Sequence, residues 1–218
     1  ALGVTGLVLH YFSLRARALT PAQGEARLAA LNARIRPHFL FNSLNAVLSL
    51  IRSRPREAET ALESLADLFR AAMHDPSEQI CLADEIELAR QYLALERLRL
   101  GERLQVTWQI AAVPLQMPIP PLMLQPLLEN ALRHGIEPKL GGGEVVISAR
   151  CHGGRWCIEV VDDGMGLADS GASGGTGLAN IRARLEALFG AEASLALKAN
   201  VAGGVTASLV LPCQEALS

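Results

Sequence analysis

The segment from Leu28 to Ile51 limits the folds open to this chain more than any other feature, because as a helix it is apolar around most of its circumference. At about 100° per residue its apolar side chains fall into two stripes, and Phe41 and Leu48 fill the gap between them. The first stripe contains Leu28, Ile35, Phe39, Ala46 and Leu50, and the second contains Leu40, Leu44, Val47 and Ile51. A helix of this kind predicts a helical bundle or a dimer core.

The polar strip of the same helix holds His38, Asn45 and Ser49, so the His38 side chain is expected to point away from the core. Pro37 precedes it and removes one backbone hydrogen bond, at a cost on the order of 3 kcal/mol. The spacing alone leaves two interpretations open. His38 is either a surface histidine beside a tolerated kink or an exposed histidine that takes part in chemistry.

Composition excludes several classes of protein. The chain has 218 residues, of which 50% are hydrophobic, so it can bury one core of ordinary size plus a smaller helical unit and is neither disordered nor collagen-like. A net charge of −2 gives no electrostatic case for direct nucleic-acid binding. The four scattered cysteines favour reduced thiols over a zinc site or a disulfide scaffold.

The first residues, Ala1–Leu14, are almost uncharged. A helix of this length spans roughly 20 Å, which is too short to cross a bilayer of about 30 Å. The segment is either the end of a transmembrane helix or an ordinary buried helix. Arg15 and Arg17 follow at once, which favours the membrane interpretation and predicts that the rest of the chain is cytoplasmic.

Helical and strand-like patterns divide the chain into a helical part followed by a mixed part. The helical runs cover residues 21–53, Glu57–Met73, Leu82–Leu100, Leu122–His134 with an end at Gly135, and a last run to about Phe189. The third run opens on an acidic turn, Asp84, Glu85 and Glu87, that suits a helix N-terminus. The strand-like runs are Leu104–Ile110, Glu144–Arg150, Trp156–Val161, Ala193–Ala199 and Val205–Leu211. These patterns predict an α+β chain in which a helical hairpin precedes an α/β domain.

The helical run that ends at Gly135 carries a cluster of polar side chains that could bind a ligand. Asn130 and His134 lie one turn apart on one helix face, and Glu129 is adjacent. Carboxylate and carboxamide oxygens can bind a hard cation such as Mg²⁺, and a histidine can reach a phosphate. The alternative is a polar helix face with a glycine at its C-terminal cap.

Two glycine-rich segments follow. Asp162 ends an apolar strand and precedes Gly164 and Gly166, so its carboxylate can accept a hydrogen bond from an exocyclic amine while the glycines admit a ligand. The stretch Gly174–Leu178 opens a helix whose backbone N–H groups can face an anion. Neither the P-loop nor the Rossmann pattern is present.

Taken together, these segments resemble the sensor histidine kinases of the LytS/YehU type, including the AlgZ/FimS-like members. The resemblance covers most of the chain, and the block around His38 is its most specific part. The matching blocks are RIRPHFLFNSLN (Arg34–Asn45), LADEIELARQYLALERLRLGERL (Leu82–Leu104), PPLMLQPLLENALRHGI (Pro120–Ile136, the N box), DDGMGL (Asp162–Leu167, the G1 box), GGTGLANIRARL (Gly174–Leu185, the G2 box) and GGVTASLVLP (Gly203–Pro212).

The resemblance implies a helical dimerisation and phosphoacceptor hairpin followed by a GHKL (Bergerat) ATP-binding domain, an α/β two-layer sandwich. It implies boundaries of 1–20 for the membrane and juxtamembrane segment, 21–80 for the hairpin, and 81–218 for the linker helix and catalytic domain. The expected protein is a homodimeric protein-histidine kinase. It would use ATP and Mg²⁺, and its partner would be a response regulator, expected to be of the LytTR type.

The resemblance also implies roles for single residues. His38 would attack the γ-phosphate of ATP, and Asn130 would bind Mg²⁺ with help from Glu129. Phe39 stands where many histidine kinases carry an acidic residue, so the general base has no assignment.

The remaining implied roles concern nucleotide binding. His134 and the G2 segment would contact the phosphates, Asp162 would accept the adenine amine, and Thr206 would lie near the base. The other nucleotide-binding positions are Gly164, Gly166, Gly175, Gly177 and Leu178. The alternatives are a GHKL-fold ATPase, which would lack the His38 block, and a degenerate kinase that acts as a binding scaffold.

Overall fold

The computed structural model describes residues 37–73, 78–110, 113–166 and 176–213. The chain divides into two compact units, Ala1–Leu40 and Phe41–Ser218. No helix in the described ranges has the length and apolar character needed to span a membrane. The predicted membrane segment, residues 1–20, and the start of the first predicted helix lie outside those ranges.

Three long helices fill the first half of the described chain. They are α1 (Pro37–Leu50), α2 (Pro55–Met73) and α3 (Leu82–Leu100). The bounds of α3 are those predicted. The α2 helix begins two residues earlier than predicted, since a proline with its fixed φ suits the first position of a helix.

The apolar side chains of α1 differ in exposure. Phe39 and Leu50 of the first stripe are buried, as are Ser43 and Val47, whereas Leu44 and Ile51 of the second stripe are partly exposed. By contrast, Phe41 is 65% exposed and Leu48 is 64% exposed. The described chain therefore leaves one apolar face of α1 in solvent.

Five strands form one sheet in the order β2–β4–β5–β7–β6. Their bounds are Leu104–Ile110 for β2, Gly143–His152 for β4, Arg155–Asp162 for β5, Ser194–Ala199 for β6 and Val205–Pro212 for β7. The β2 and β4 strands are parallel, and the other neighbours are antiparallel. Two short strands, β1 (Ile80–Cys81) and β3 (Pro118–Ile119), pair antiparallel as a separate two-stranded sheet. The predicted α+β class is confirmed.

Alternate side chains of the central strands form the core. Ile147 lies opposite Val160, and Val160 lies opposite Ala207, with all three buried. The other face carries polar pairs such as Arg150 with Glu159, 2.7 Å apart. The sheet is thus covered on one face, as a two-layer domain requires.

The helix predicted over Leu122–His134 differs from the observed one at both ends. The α4 helix covers Gln125–Asn130, and a π-helical turn, Ala131–Ile136, continues it past Gly135. It starts later than predicted because Leu122 takes a φ of 58°, which no α-helical residue adopts. It ends later because the Glu137 N–H bonds to the Leu132 carbonyl, 2.8 Å away, so Gly135 is not a terminal cap.

Candidate functional site

Asp162 lies at the end of β5 and is 3% exposed. Its Oδ1 accepts a hydrogen bond from the Gly164 N–H at 2.9 Å. Burial raises the pKa of the Asp162 carboxyl above its ordinary value, and the Gly164 N–H, which favours the charged form, opposes that shift only in part. The predicted adenine acceptor is therefore a buried carboxyl held in place by the backbone of its own turn.

Three glycines surround Asp162, and each is needed for the packing of the backbone. A Cβ at Gly135 would lie 2.8 Å from the Asp162 Cγ. A Cβ at Gly164 would overlap the Gly135 backbone, and one at Gly204 would lie 2.6 Å from the Asp162 carbonyl carbon. The G1 turn thus needs glycine in order to pack against the end of the N-box helix. The sequence suggested only that these glycines admit a ligand.

Thr206 is connected to Asp162 through Asn200. The Thr206 hydroxyl donates to Asn200 Oδ1 at 2.7 Å, and Asn200 Nδ2 donates to the Asp162 carbonyl oxygen at 3.4 Å. Thr206 also lies opposite Val161 in the β5–β7 register. Asn200 is not among the residues predicted from the sequence, where its only signal is its position before the Gly203–Gly204 turn.

The two adjacent aspartates have different surroundings. Asp163 is exposed, and its Oδ2 lies 3.1 Å from the Lys139 ammonium while its Oδ1 accepts the Glu144 N–H at 2.9 Å. Asp163 therefore ties the segment after the π-helical turn to the sheet. Asp162 is the acid that faces the glycines.

The predicted metal-binding side chains lie at the C-terminal end of α4. Glu129 is 8% exposed, and its Oε1 accepts a hydrogen bond from Gln125 Nε2 at 3.1 Å. Asn130 is half-buried, and His134 is exposed on the π-helical turn. In the described ranges no three His, Cys, Asp or Glu side chains are grouped to hold a metal ion. A carboxylate and an amide fit Mg²⁺, which keeps waters and takes phosphate oxygens as further ligands.

The start of the last helix lies beside α4. The helix α5 covers Thr176–Phe189, and a Cβ at Gly177 would be in ordinary contact with Pro126, at 3.4 Å. Leu178 is buried, so it anchors this end of α5. Gly166 has a φ of 83° in the G1 turn. Gly175 lies outside the described residues.

His38 belongs to the other compact unit and is exposed on α1, as predicted from the polar strip. Asn45 and Ser49, which share that strip, are exposed as well. The histidine side chain is therefore accessible to a second molecule or domain.

Glu85 stands in the acidic turn predicted to begin a helix, but its carboxylate is buried. Glu85 is 1% exposed, and it accepts the N–H groups of Leu122 and Leu124 at 2.8 and 2.7 Å. Burial raises its pKa to about 7, although these donors and the Arg184 charge act in the opposite sense. One signal was available: Glu85 stands at helical spacing with Leu82 and Ala89, on the apolar face of α3.

Comparison with known proteins gives matches to both halves of the chain. The family model described as "Histidine kinase" matches residues 26–104. The family model described as "Histidine kinase-, DNA gyrase B-, and HSP90-like ATPase" matches residues 121–215.

Two curated relatives and one solved structure illustrate the similarity. Sensor histidine kinase BtsS of Escherichia coli K12 is 34% identical over 192 residues, covering 88% of this chain and 34% of the relative. Sensor protein LytS of Streptococcus agalactiae is 30% identical over 209 residues, covering 88% of this chain and 36% of the relative. The histidine kinase domain of the Erythrobacter litoralis EL346 blue-light activated kinase has a TM-score of 0.51 at 18% identity, covering 88% of this chain and 93% of that one. The chain spans about a third of the length of these curated relatives.

Proposed function

Because this chain belongs to the sensor histidine kinases, we propose that it transfers the γ-phosphoryl group of ATP to His38 and then to a response regulator. One observation carries the proposal: the same chain holds an exposed histidine on α1 and a buried Asp162 enclosed by glycine backbone. An ATPase of the same fold would need the buried Asp162 site but not the exposed histidine.

Asp162 and the glycines around it would bind the adenine. A buried carboxyl with one oxygen fixed by the Gly164 N–H is a pre-oriented acceptor for an exocyclic amine. The raised pKa of Asp162 follows from the same burial that would exclude water from the base.

Mg²⁺ bound by Asn130, with Glu129 holding the metal or its water, would neutralise charge on the phosphates. His134 and the start of α5, with Gly175, Gly177 and Leu178, would contact the phosphate oxygens. Phosphoryl transfer depends mainly on such positioning and charge neutralisation, so this small set of groups is sufficient.

A ring nitrogen of His38 forms a P–N bond while the bond between the γ-phosphorus and the bridging oxygen breaks, so ADP leaves and the ring loses a proton. An aspartate carboxylate of the regulator then forms a P–O bond as the P–N bond breaks, and the His38 ring regains a proton from solvent. We propose a LytTR-type regulator as the acceptor, as the resemblance to the LytS/YehU-type kinases implies.

A homodimer attached to a membrane completes the proposal. The apolar face of α1 that carries Phe41 and Leu48 is more than half exposed at both residues, and a second copy of the helix would cover it. The segment 1–20 is the proposed attachment to the inner membrane, with the domains on the cytoplasmic side. The division at residues 20 and 80 remains a prediction.

The experiment is incubation with γ-labelled ATP and Mg²⁺ of the wild type, His38→Gln and His152→Gln. His152 is an exposed histidine at the end of β4 and serves as the matched control. We expect label on the wild type and on His152→Gln only, and the product should be labile in acid and stable in alkali. Label on His38→Gln would disprove the assignment, and bound ATP without label on any protein would favour the ATPase.

A further inference from the structure

The turn that precedes α4 is held by a side chain from another helix. The Glu85 carboxylate on α3 accepts the Leu124 N–H through Oε1, at 2.7 Å, and the Leu122 N–H through Oε2, at 2.8 Å. Leu124 is the residue immediately before α4, and no side chain of its own segment caps the helix. Glu85 therefore supplies the cap from a position 39 residues earlier in the chain.

Leu122 indicates that this turn is constrained. Its φ of 58° is the only positive value found at a non-glycine residue in the described ranges. A leucine in this conformation is strained relative to ordinary backbone, so surrounding contacts must hold it there. The bond from its N–H to Glu85 is such a contact.

A second helix meets the same turn. Arg184 on α5 donates through Nη1 to the Pro121 carbonyl at 2.6 Å, and its charge acts on Glu85. The linker helix α3, the N-box helix α4 and the G2 helix α5 thus join at residues 121–124.

The far end of the N box is tied to α3 as well. Arg99 on α3 forms an ion pair with Glu137, the residue that follows the π-helical turn. Arg103, just beyond α3, donates to the carbonyls of Glu137 and Lys139 at 3.1 and 3.0 Å. Glu129 and Asn130 on α4, and His134 on the π-helical turn, therefore lie between two segments that are both attached to α3 or to the residue just beyond it.

From this geometry we infer that Glu85 is a positioning residue for the metal-nucleotide site. It fixes the turn at 121–124 and thereby sets where Glu129 and Asn130 stand relative to Asp162. Glu85 makes no contact with the reacting groups; it acts through α4. The inference rests on the proposed function, since it assigns Glu129 and Asn130 to Mg²⁺.

The test compares Glu85→Gln with Glu87→Gln, an exposed residue two positions along the same helix. A glutamine offers one acceptor oxygen in place of two, so one of the two N–H groups loses its partner. Calorimetry gives both the dissociation constant and the number of sites per chain, for ATP with Mg²⁺ and for ATP with the metal chelated. We expect Glu85→Gln to weaken Mg-ATP binding roughly tenfold, as for the loss of one hydrogen bond to a charged group. The binding of metal-free ATP should weaken by less, and Glu87→Gln should bind both forms of ATP as the wild type does.

Different outcomes separate the two claims. A wild type that binds no nucleotide would overturn the proposed function and the inference together. A wild type that binds, with a Glu85→Gln variant that has fewer sites but an unchanged dissociation constant, would overturn the inference alone, because Glu85 would then serve folding only. Equal weakening with and without Mg²⁺ would overturn it as well.

A second variant keeps the test valid if Glu85→Gln does not fold. Leu122→Gly removes the cost of the positive φ, because glycine adopts this conformation readily. We expect the combined Glu85→Gln and Leu122→Gly protein to fold and still to bind Mg-ATP weakly. Wild-type affinity in the combined protein would show that Glu85 only relieves backbone strain and would overturn the inference.

Discussion

Gly164 and Gly135 meet backbone to backbone, with no room for a side chain on Gly164. Met165, the next residue, donates its N–H to the Gly135 carbonyl at 3.2 Å. The G1 turn at the end of β5 and the end of the N box are therefore locked together. The Asp162 carboxyl lies beside Gly135 and accepts the Gly164 N–H, so the position of Asp162 depends on the contact between the two glycines.

Replacing Gly164 with alanine should disturb both the fold and the nucleotide site. We expect Gly164→Ala to lower the free energy of unfolding by about 2 to 3 kcal/mol, since the new Cβ must push two backbone segments apart. Denaturant titration measures this. Gly141→Ala is the matched control, because a Cβ there meets no atom within 4 Å, and it should change stability by less than about 0.5 kcal/mol. Equal losses in the two variants would contradict the packing role of Gly164.

Asn130 gives a prediction about the metal. We expect Asn130→Ala to lower autophosphorylation about 10- to 100-fold, as for one lost contact to a charged group. The measurement is the initial rate of labelling over a range of Mg²⁺ concentrations. Binding of metal-free ATP serves as the internal control and should change little. An unaltered rate at every Mg²⁺ concentration would remove Asn130 from the metal site.

The buried carboxyl of Glu85 makes stability depend on pH. Its pKa is about 7 in the folded chain and 4.5 as an ordinary glutamate, so between these values the folded state binds more protons than the unfolded state. The free energy of unfolding should therefore fall as pH rises from about 4.5 to about 7, by up to about 3 kcal/mol, and then level off. Asp162, whose pKa is also raised, adds a change of the same sign.

Denaturant titrations between pH 5 and pH 8 test this dependence. Glu85→Gln cannot titrate at this position, so its stability should fall less steeply with pH than that of the wild type. Glu87→Gln should keep the wild-type slope. A wild type whose stability rises with pH across this window would refute the assignment.

The exposed face of α1 predicts a dimer. We expect the wild type to sediment as a dimer at micromolar concentration, and the double variant Phe41→Glu, Leu48→Glu to sediment as a monomer, because both side chains are more than half exposed in a single chain. Ser49→Glu, also exposed on the polar strip but farther around the helix from Phe41 and Leu48, should remain dimeric. A monomeric wild type would contradict the proposal.

Local sequence patterns predicted the regular elements well and the junctions poorly. The bounds of α3 and β2 follow from periodicity that a few neighbouring residues define, and the prediction matches at both. The start of α4 does not, because the φ of Leu122 is held by Glu85, which lies 37 residues away. The π-helical turn also depends on a contact distant in sequence, since Glu137, the residue that follows it, forms an ion pair with Arg99 on α3.

The candidate site shows a similar division. Asp162 and Gly164 could be predicted because their motif is contiguous. Asn200 could not, since its link to Thr206 and Asp162 requires that β5 and β7 be neighbours. The sequence suggests that position 135 is glycine because it caps a helix. In the structure the requirement for glycine comes from the Asp162 carboxyl, which leaves no room for a Cβ at that position.

The attachment of α3 to the N box determines which piece of the chain can exist alone. A fragment that began at Leu104 would keep the whole five-stranded sheet, yet it would lose the acceptor for the Leu122 and Leu124 N–H groups and the β1 partner of β3. A catalytic domain transplanted between kinases, by an engineer or by recombination, would therefore have to start before Ile80. The unit that must be transferred together is the five-stranded sheet with α3, the helix that precedes it.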